Sequence, residues 1–197
     1  IKSLLFGPNN PKQAYSSVVS FLLLKKELQG HGAPKELIDA CQTASREEAM
    51  HARLIGKICC EMQAIIPTPQ FKPTPTRTLV ELAIENVVEG CVREGFAALQ
   101  ALHQAQHAKD PSIRSTMSKI AFDEAKHVEL AFRIDMWLKT QLTKEERTKV
   151  ATAKQDALGS LQAYLEQHKP HPCSLELGLI ESQHSLQIFE RFQEALA

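Results

Sequence analysis

Apolar residues recur at three- and four-residue steps over most of this chain, and strand-like alternation is absent, so the pattern predicts an all-α fold. Gly and Pro set the boundaries. Asn10 before Pro11 is a cap followed by proline at the first helical position. The first helix should run from there to about Leu28 and stop at the Gly-His-Gly of 30–32. Pro34 opens a second helix that the pattern carries to about Ile66. The segment 67–77 holds Pro67, Pro69, Pro73 and Pro75, cannot be helical, and reads as an extended crossover. Thr78, with Glu81 spaced for a capping box, starts a third helix reaching about Gln106. Asp110 and Pro111 cap and open a fourth, which ends near Leu142. Thr143 with Glu146 starts a fifth, and Ser174, after the break at 169–172, caps a sixth. The prediction is one bundle over residues 1–142, made of hairpins 11–66 and 78–142 joined by the crossover 67–77, with two C-terminal helices in 143–197 packed on it.

The apolar seams are interrupted in a particular way. On the second helix the stripe runs Cys41, Ala44, Glu48, His51, Ile55; on the fourth it runs Met117, Ile120, Glu124, His127, Ala131. On the third, Glu85 and Glu89 sit between Leu82 and Val92. A buried ionised carboxylate is costly unless it is paired or bound to a cation. One such group could be a satisfied core residue, but several converging at mid-bundle need a common partner. The i, i+3 spacing of each E-x-x-H pair puts the acid and the imidazole on one helical face, within reach of one ion. Counting from the turn near Ala108, Glu124 and His127 lie roughly 16 and 19 residues beyond it and Glu89 roughly 19 before it, so at about 1.5 Å per residue the three share a height. Glu48, roughly 16 residues past Gly32, should face residues 14–17 of the first helix.

This arrangement resembles the ferritin-like di-iron carboxylate superfamily, in which two helices each carry a Glu and the other two each carry E-x-x-H. The matching segments are EEAMH (47–51), ENVVEGCVRE (85–94) and DEAKH (123–127), and AYSSVVSF with the following GAPKEL stretch is similar to an uncharacterised bacterial ferritin-like group. The resemblance implies a ferritin-like four-helix bundle with two additional C-terminal helices. It implies Glu48, His51, Glu89, Glu124 and His127 as metal ligands, for two iron ions or a manganese–iron pair. It implies an oxidoreductase that activates dioxygen on a small-molecule substrate, or oxidises iron, with a reductase among its partners. The first-helix Glu that the resemblance leads one to expect falls on Ala14. Glu85, Tyr15 and Asp123 are then candidates for a sixth ligand or for an outer partner of a ligand, with Asp123 expected beside His51. Three arrangements stay open: Glu85 as sixth ligand, a first metal position completed by water, or a site with one metal or none. The last would make the chain a degenerate bundle acting as a binding or structural protein.

Composition narrows the remaining classes. Among 197 residues, Lys plus Arg and Asp plus Glu each number 23, which argues against a broad nucleic-acid footprint. No apolar run approaches the roughly 20 residues of a membrane span. The five cysteines, Cys41, Cys59, Cys60, Cys91 and Cys173, are odd in number and form no C-x-x-C, which predicts a reduced, cytoplasmic protein. Cys91 and the Cys59-Cys60 pair are expected as apolar filling. Glu94 falls off the Glu89 stripe at helical periodicity and is expected at the surface or an interface. His103 and His107, like His168 and His171, are expected to be solvated, and a third E-x-x-H, Glu181 to His184, reads as chance. Six helices leave lateral faces that would suit a homodimer.

Overall fold

The computed structural model describes residues 11–61, 75–167, 174–180 and 182–196; within these, the side chains of 11–15, 174, 175 and 182 lie outside the described set. All regular structure among these residues is helical. Helix α1 (Pro11–Gly30) turns sharply at 31–34 into α2 (Lys35–Glu61). The sequence pattern extends α2 to Ile66, and that last turn lies outside the described residues, as does most of the crossover.

Thr78 begins the next helix through the expected capping box: its hydroxyl accepts from Glu81 N–H while Glu81 Oε2 accepts from Thr78 N–H at 2.8 Å. The single helix expected over 78–106 is, however, in three parts: α3 (Leu79–Glu85), a nine-residue π-helical segment (Asn86–Glu94) and α4 (Gly95–His107). Such segments close i→i+5 hydrogen bonds instead of i→i+4 and are frequent at functional sites. Asp110 accepts from Ser112 N–H at 2.7 Å and, with Pro111, opens α5 (Pro111–Gln141). Thr143 and Glu146 form the second capping box at the head of α6 (Lys144–Gln167). The expected sixth helix is also divided, into α7 (Ser174–Leu177) and α8 (Ser182–Leu196). The break falls at Gly178, whose φ of +64° is left-handed. A Cβ there would sit 2.3 Å from Ala108 N, so only glycine lets this turn lie against the end of α4.

Helices α1 and α2 pack as one hairpin, the π segment and α4 pack against α5 as another, and α2 lies against α5 between them. One apolar cluster joins Leu28, Leu37, Leu82, Ile134 and Leu138 at one end, and a second joins Ile55, Cys59, Ala101, Met117 and Ile120 at the other. Helices α6 and α8 cover the outer face of the π segment and α4 through Leu158, Leu165 and Phe189 against Val92 and Phe96. The crossover is anchored by one polar node: Arg77 donates from Nε and Nη2 to the buried Glu27 carboxylate, at 3.1 and 2.7 Å, and His31 donates to the Arg77 carbonyl. Among the described residues, no helix is long and apolar enough to cross a membrane.

Candidate metal centre

Between the two apolar clusters, α2 and α5 bring their interrupted stripes face to face. Glu48, His51, Glu124 and His127 are exposed by only 4%, 1%, 6% and 2%. Both imidazoles turn Nδ1 inward. His127 Nδ1 lies 3.3 Å from Glu48 Oε1 and 3.3 Å from Glu124 Oε2. His51 Nδ1 lies 3.4 Å from Glu124 Oε1 and 3.8 Å from Glu48 Oε1, and makes no hydrogen bond.

The outer nitrogens are held in a crossed pattern. His51 Nε2–H donates to Asp123 Oδ2 at 3.2 Å, and His127 Nε2–H donates to Glu47 Oε2 at 2.9 Å. Each imidazole is thus oriented by the acid that precedes the Glu of the opposite E-x-x-H motif. Lys126 ties the two outer acids together, pairing with Glu47 and, at 2.7 Å, with Asp123 Oδ1. Sequence reasoning missed Glu47 and Lys126. The signal available for Glu47 was the repeated acid-Glu-x-x-His of EEAMH and DEAKH; nothing in the sequence marked Lys126.

The four inner groups compensate one another's charge. Burial works to lower the His51 and His127 pKa values, but the Glu124 and Glu48 carboxylates beside their Nδ1 atoms outweigh it and push them up to about 9 and about 11. Burial raises the Glu124 carboxyl, and the two imidazoles more than reverse that and pull it down. Glu48, Glu124 and His127 can each direct one ligand atom into a common volume, with those atoms within 4.8 Å of one another. The set of carboxylate oxygens and imidazole nitrogens, together with the unpartnered buried His51 Nδ1, fits a divalent cation.

The third helix behaves differently from its sequence pattern. Glu89 is half-buried, its carboxylate 40% exposed and paired with Arg93. Glu85 is 56% exposed and paired with Arg77 at 3.3 Å, so it stands apart from the inner four groups. Glu94, expected at the surface or an interface, is half-buried and turned toward them. Burial first, then the negative charges of Glu124 and Glu48, push its carboxyl up to about 8. The π segment is the reason for this correction. With i→i+5 closure, residue 94 follows residue 89 on one face, whereas the 3.6 periodicity assumed from sequence leaves residue 94 off that stripe.

Two contacts hold that segment against α5. Asn86 Nδ2 donates to the Ala131 carbonyl at 2.9 Å, and Gly90 lies so close that a Cβ on it would fall 2.8 Å from Ala131 Cβ. On its other side a cavity of about 550 Å³ separates it from α1. Its lining includes Glu89, Glu94 and His127, the apolar Leu82, Leu130 and Ile134, and from α1 Ser16, Ser17, Ser20 and Leu24. The Phe21 ring stands 5.1 Å from that of His127. Ala14 and Tyr15 belong to α1, but their side chains lie outside the described set, as do Glu181, His168, His171 and Cys173. Cys59 and Cys91 are buried as expected, whereas Cys60 is exposed because it takes the next helical position round from Cys59. His103, expected to be solvated, is half-buried because the Gly178 turn covers it and accepts a hydrogen bond from it at 2.9 Å; His107 is exposed.

Comparison with family models, with curated protein sequences and with solved structures finds no match to this chain.

Proposed function

We propose that this chain is a ferritin-like metal protein, an oxidoreductase that acts with iron or manganese on dioxygen and a small substrate. The observation that carries the reading is the meeting of Glu48/His51 with Glu124/His127 in the dry interior, with His51 Nδ1 aimed at both acids and lacking any other partner. Glu48, Glu124 and His127 would hold the first ion, with His51 beside it. Glu89 and Glu94, on the cavity wall next to His127, are the acids available to a second ion. A bound pair of such ions supplies redox chemistry toward dioxygen.

The protein's own residues do the rest. Asp123 and Glu47 fix the ring orientation of His51 and His127 and keep the Nε2 protons outward, so that both Nδ1 atoms face the two glutamates, that of His51 without a hydrogen bond and that of His127 bonded to Glu124, a bond a bound ion would replace. The cavity is of a size that suits a small organic molecule. Its apolar wall of Leu24, Leu82, Leu130 and Ile134 would hold the carbon skeleton and exclude water, while its acidic wall abuts the centre.

Metal analysis tests this directly. Protein from iron- and manganese-replete growth should carry at least one such ion per chain, and Glu124→Ala should lose it. The iron(II)-loaded protein should consume dioxygen faster than the variant. Iron and manganese contents that are negligible, or that Glu124→Ala leaves unchanged, refute the reading. A second reading, a degenerate bundle with a binding or structural role, draws support from Ala14 and from the pairing of Glu89 with Arg93. It predicts one ion or none and no dioxygen consumption.

A further inference from the structure

Helix α5 is apolar on two sides. Its inner side packs on α2, the π segment and α4, and an ordinary surface helix would be polar on the other. There, instead, Phe122, Phe132 and Met136 are 70%, 36% and 61% exposed, with the exposed Ala125 among them. Single apolar side chains at a surface need no explanation. Phe122, Ala125, Glu129, Phe132 and Met136, however, follow one another at three- and four-residue steps, the spacing of a seam that packs against another helix.

The charges on this face say what covers it. Lys126 is paired within the chain with Glu47 and Asp123, and Lys139 with Asp135 at 2.7 Å. Lys119 lies about a quarter turn off the row. Glu129 and Arg133 are exposed and form no ion pair among the described residues. A two-fold contact needs one patch that complements itself, so that residue i meets j and j meets i. Take two antiparallel α5 helices crossing near residue 130. At about 1.5 Å per residue, Glu129 of one copy and Arg133 of the other then lie within about 3 Å of one height, twice over. The same crossing sets Met136 of each copy beside Phe122 and Ala125 of the other, with the two Phe132 rings between.

We propose that the outer face of α5 is the interface of a two-fold dimer of this chain, in which Glu129 of each copy pairs with Arg133 of the other across a seam of Phe122, Ala125, Phe132 and Met136. The row from Phe122 to Met136 is about 21 Å long, which makes a small interface. Interfaces of about 1,600 Å² already range from about μM to pM, so this dimer is a weak one that dissociates in the micromolar range. Its formation also bears on the centre. Lys126 Nζ lies 5.2 Å from the Phe122 ring centroid, so covering Phe122 shields from water the ammonium that joins Asp123 to Glu47.

Sedimentation of the whole chain over a range of concentrations tests this, as wild type, Glu129→Arg and Arg133→Glu. Both side chains are exposed and Glu and Arg suit a helix equally, so the variants should keep the fold, which circular dichroism checks. Wild type should approach twice the 22.0 kDa chain mass as its concentration rises. Each single variant should dissociate at least about tenfold more readily, because two exposed pairs turn from attraction to repulsion. Mixed one to one, the two single variants should dimerise like wild type, since the mixed dimer has opposite charges at both contacts. The double variant Glu129→Arg/Arg133→Glu should do the same alone. A wild type still monomeric at about 1 mM, the weak end of specific binding, overturns the dimer and leaves the face to a different partner. Single variants that dimerise like wild type overturn the α5 interface. A mixture that associates no better than its components overturns the antiparallel pairing.

Discussion

Gly90 offers the sharpest measure of whether the π segment lies where the centre needs it. In Gly90→Ala the new Cβ would fall 2.8 Å from Ala131 Cβ and 3.9 Å from its Cα. Carbon atoms rest at about 3.5–4.0 Å, so the segment and α5 must part by roughly 1 Å. Ala131 Cβ is fixed to helix backbone and cannot swing aside, and the parting also stretches the 2.9 Å bond from Asn86 to the Ala131 carbonyl. Overpacking of this kind costs about 1–3 kcal/mol. Opposing it, replacing Gly by Ala inside a helix gains about 1 kcal/mol. The expected balance is a net loss of up to about 2 kcal/mol, read as a lowered urea midpoint at unchanged slope. The partner change decides the cause. Ala131→Gly removes the obstructing methyl, so the double variant should be more stable than the two single effects predict, by about 1 kcal/mol or more. Additive single effects, or a Gly90→Ala protein stabilised by the propensity gain alone, would refute the close approach and with it the register that turns Glu94 inward.

Three further outcomes test other parts of the structure. Glu27→Gln weakens the charged hold on Arg77, which is 25% exposed and so partly screened, and should cost about 2 kcal/mol at neutral pH. Burial raises the Glu27 carboxyl, but bonds and charge from Arg77 lower it overall. Its contribution is therefore complete above the unfolded value and lost as pH falls through the lower folded one. Thermal unfolding of both proteins should begin to converge below about pH 4 and close the gap as pH falls through the lower folded value; a gap that persists in strong acid rules out the charge pair as its source. Gly178→Ala combines a left-handed φ with a Cβ 2.3 Å from Ala108 N and should cost about 3 kcal/mol. Limited proteolysis would then cut near 178–182 much faster than in wild type, and equal cutting rates would contradict the docking of that turn. Asp123→Asn and Glu47→Gln should each weaken iron(II) or manganese binding about 10- to 100-fold. Unchanged affinity in both would mean that His51 and His127 are not ligands.

Much of this architecture could be read locally. The capping boxes at Thr78/Glu81 and Thr143/Glu146 and the Asp110-Pro111 start depend on groups within a single turn, and all three stand as expected. The placing of Glu48, His51, Glu124 and His127 on apolar seams was likewise legible, because burial of a helical stripe follows from periodicity alone. Three things were not. The i→i+5 segment at 86–94 breaks the period on which that reading relied, so Glu94, expected off the inward stripe, turns toward the centre. Asp123 was expected beside His51, but its counterpart, the pairing of Glu47 with His127, and the Lys126 bridge between the two acids join α2 to α5 and were not. The approach of His184 to His103 joins α8 to α4. Sequence determines which face of each helix is apolar and where its ends are capped, since those energies act over one turn. Only packing of one helix on another, here Gly90 against Ala131 and Gly178 against Ala108, decides how far a helix is wound and which side chains meet across the interface.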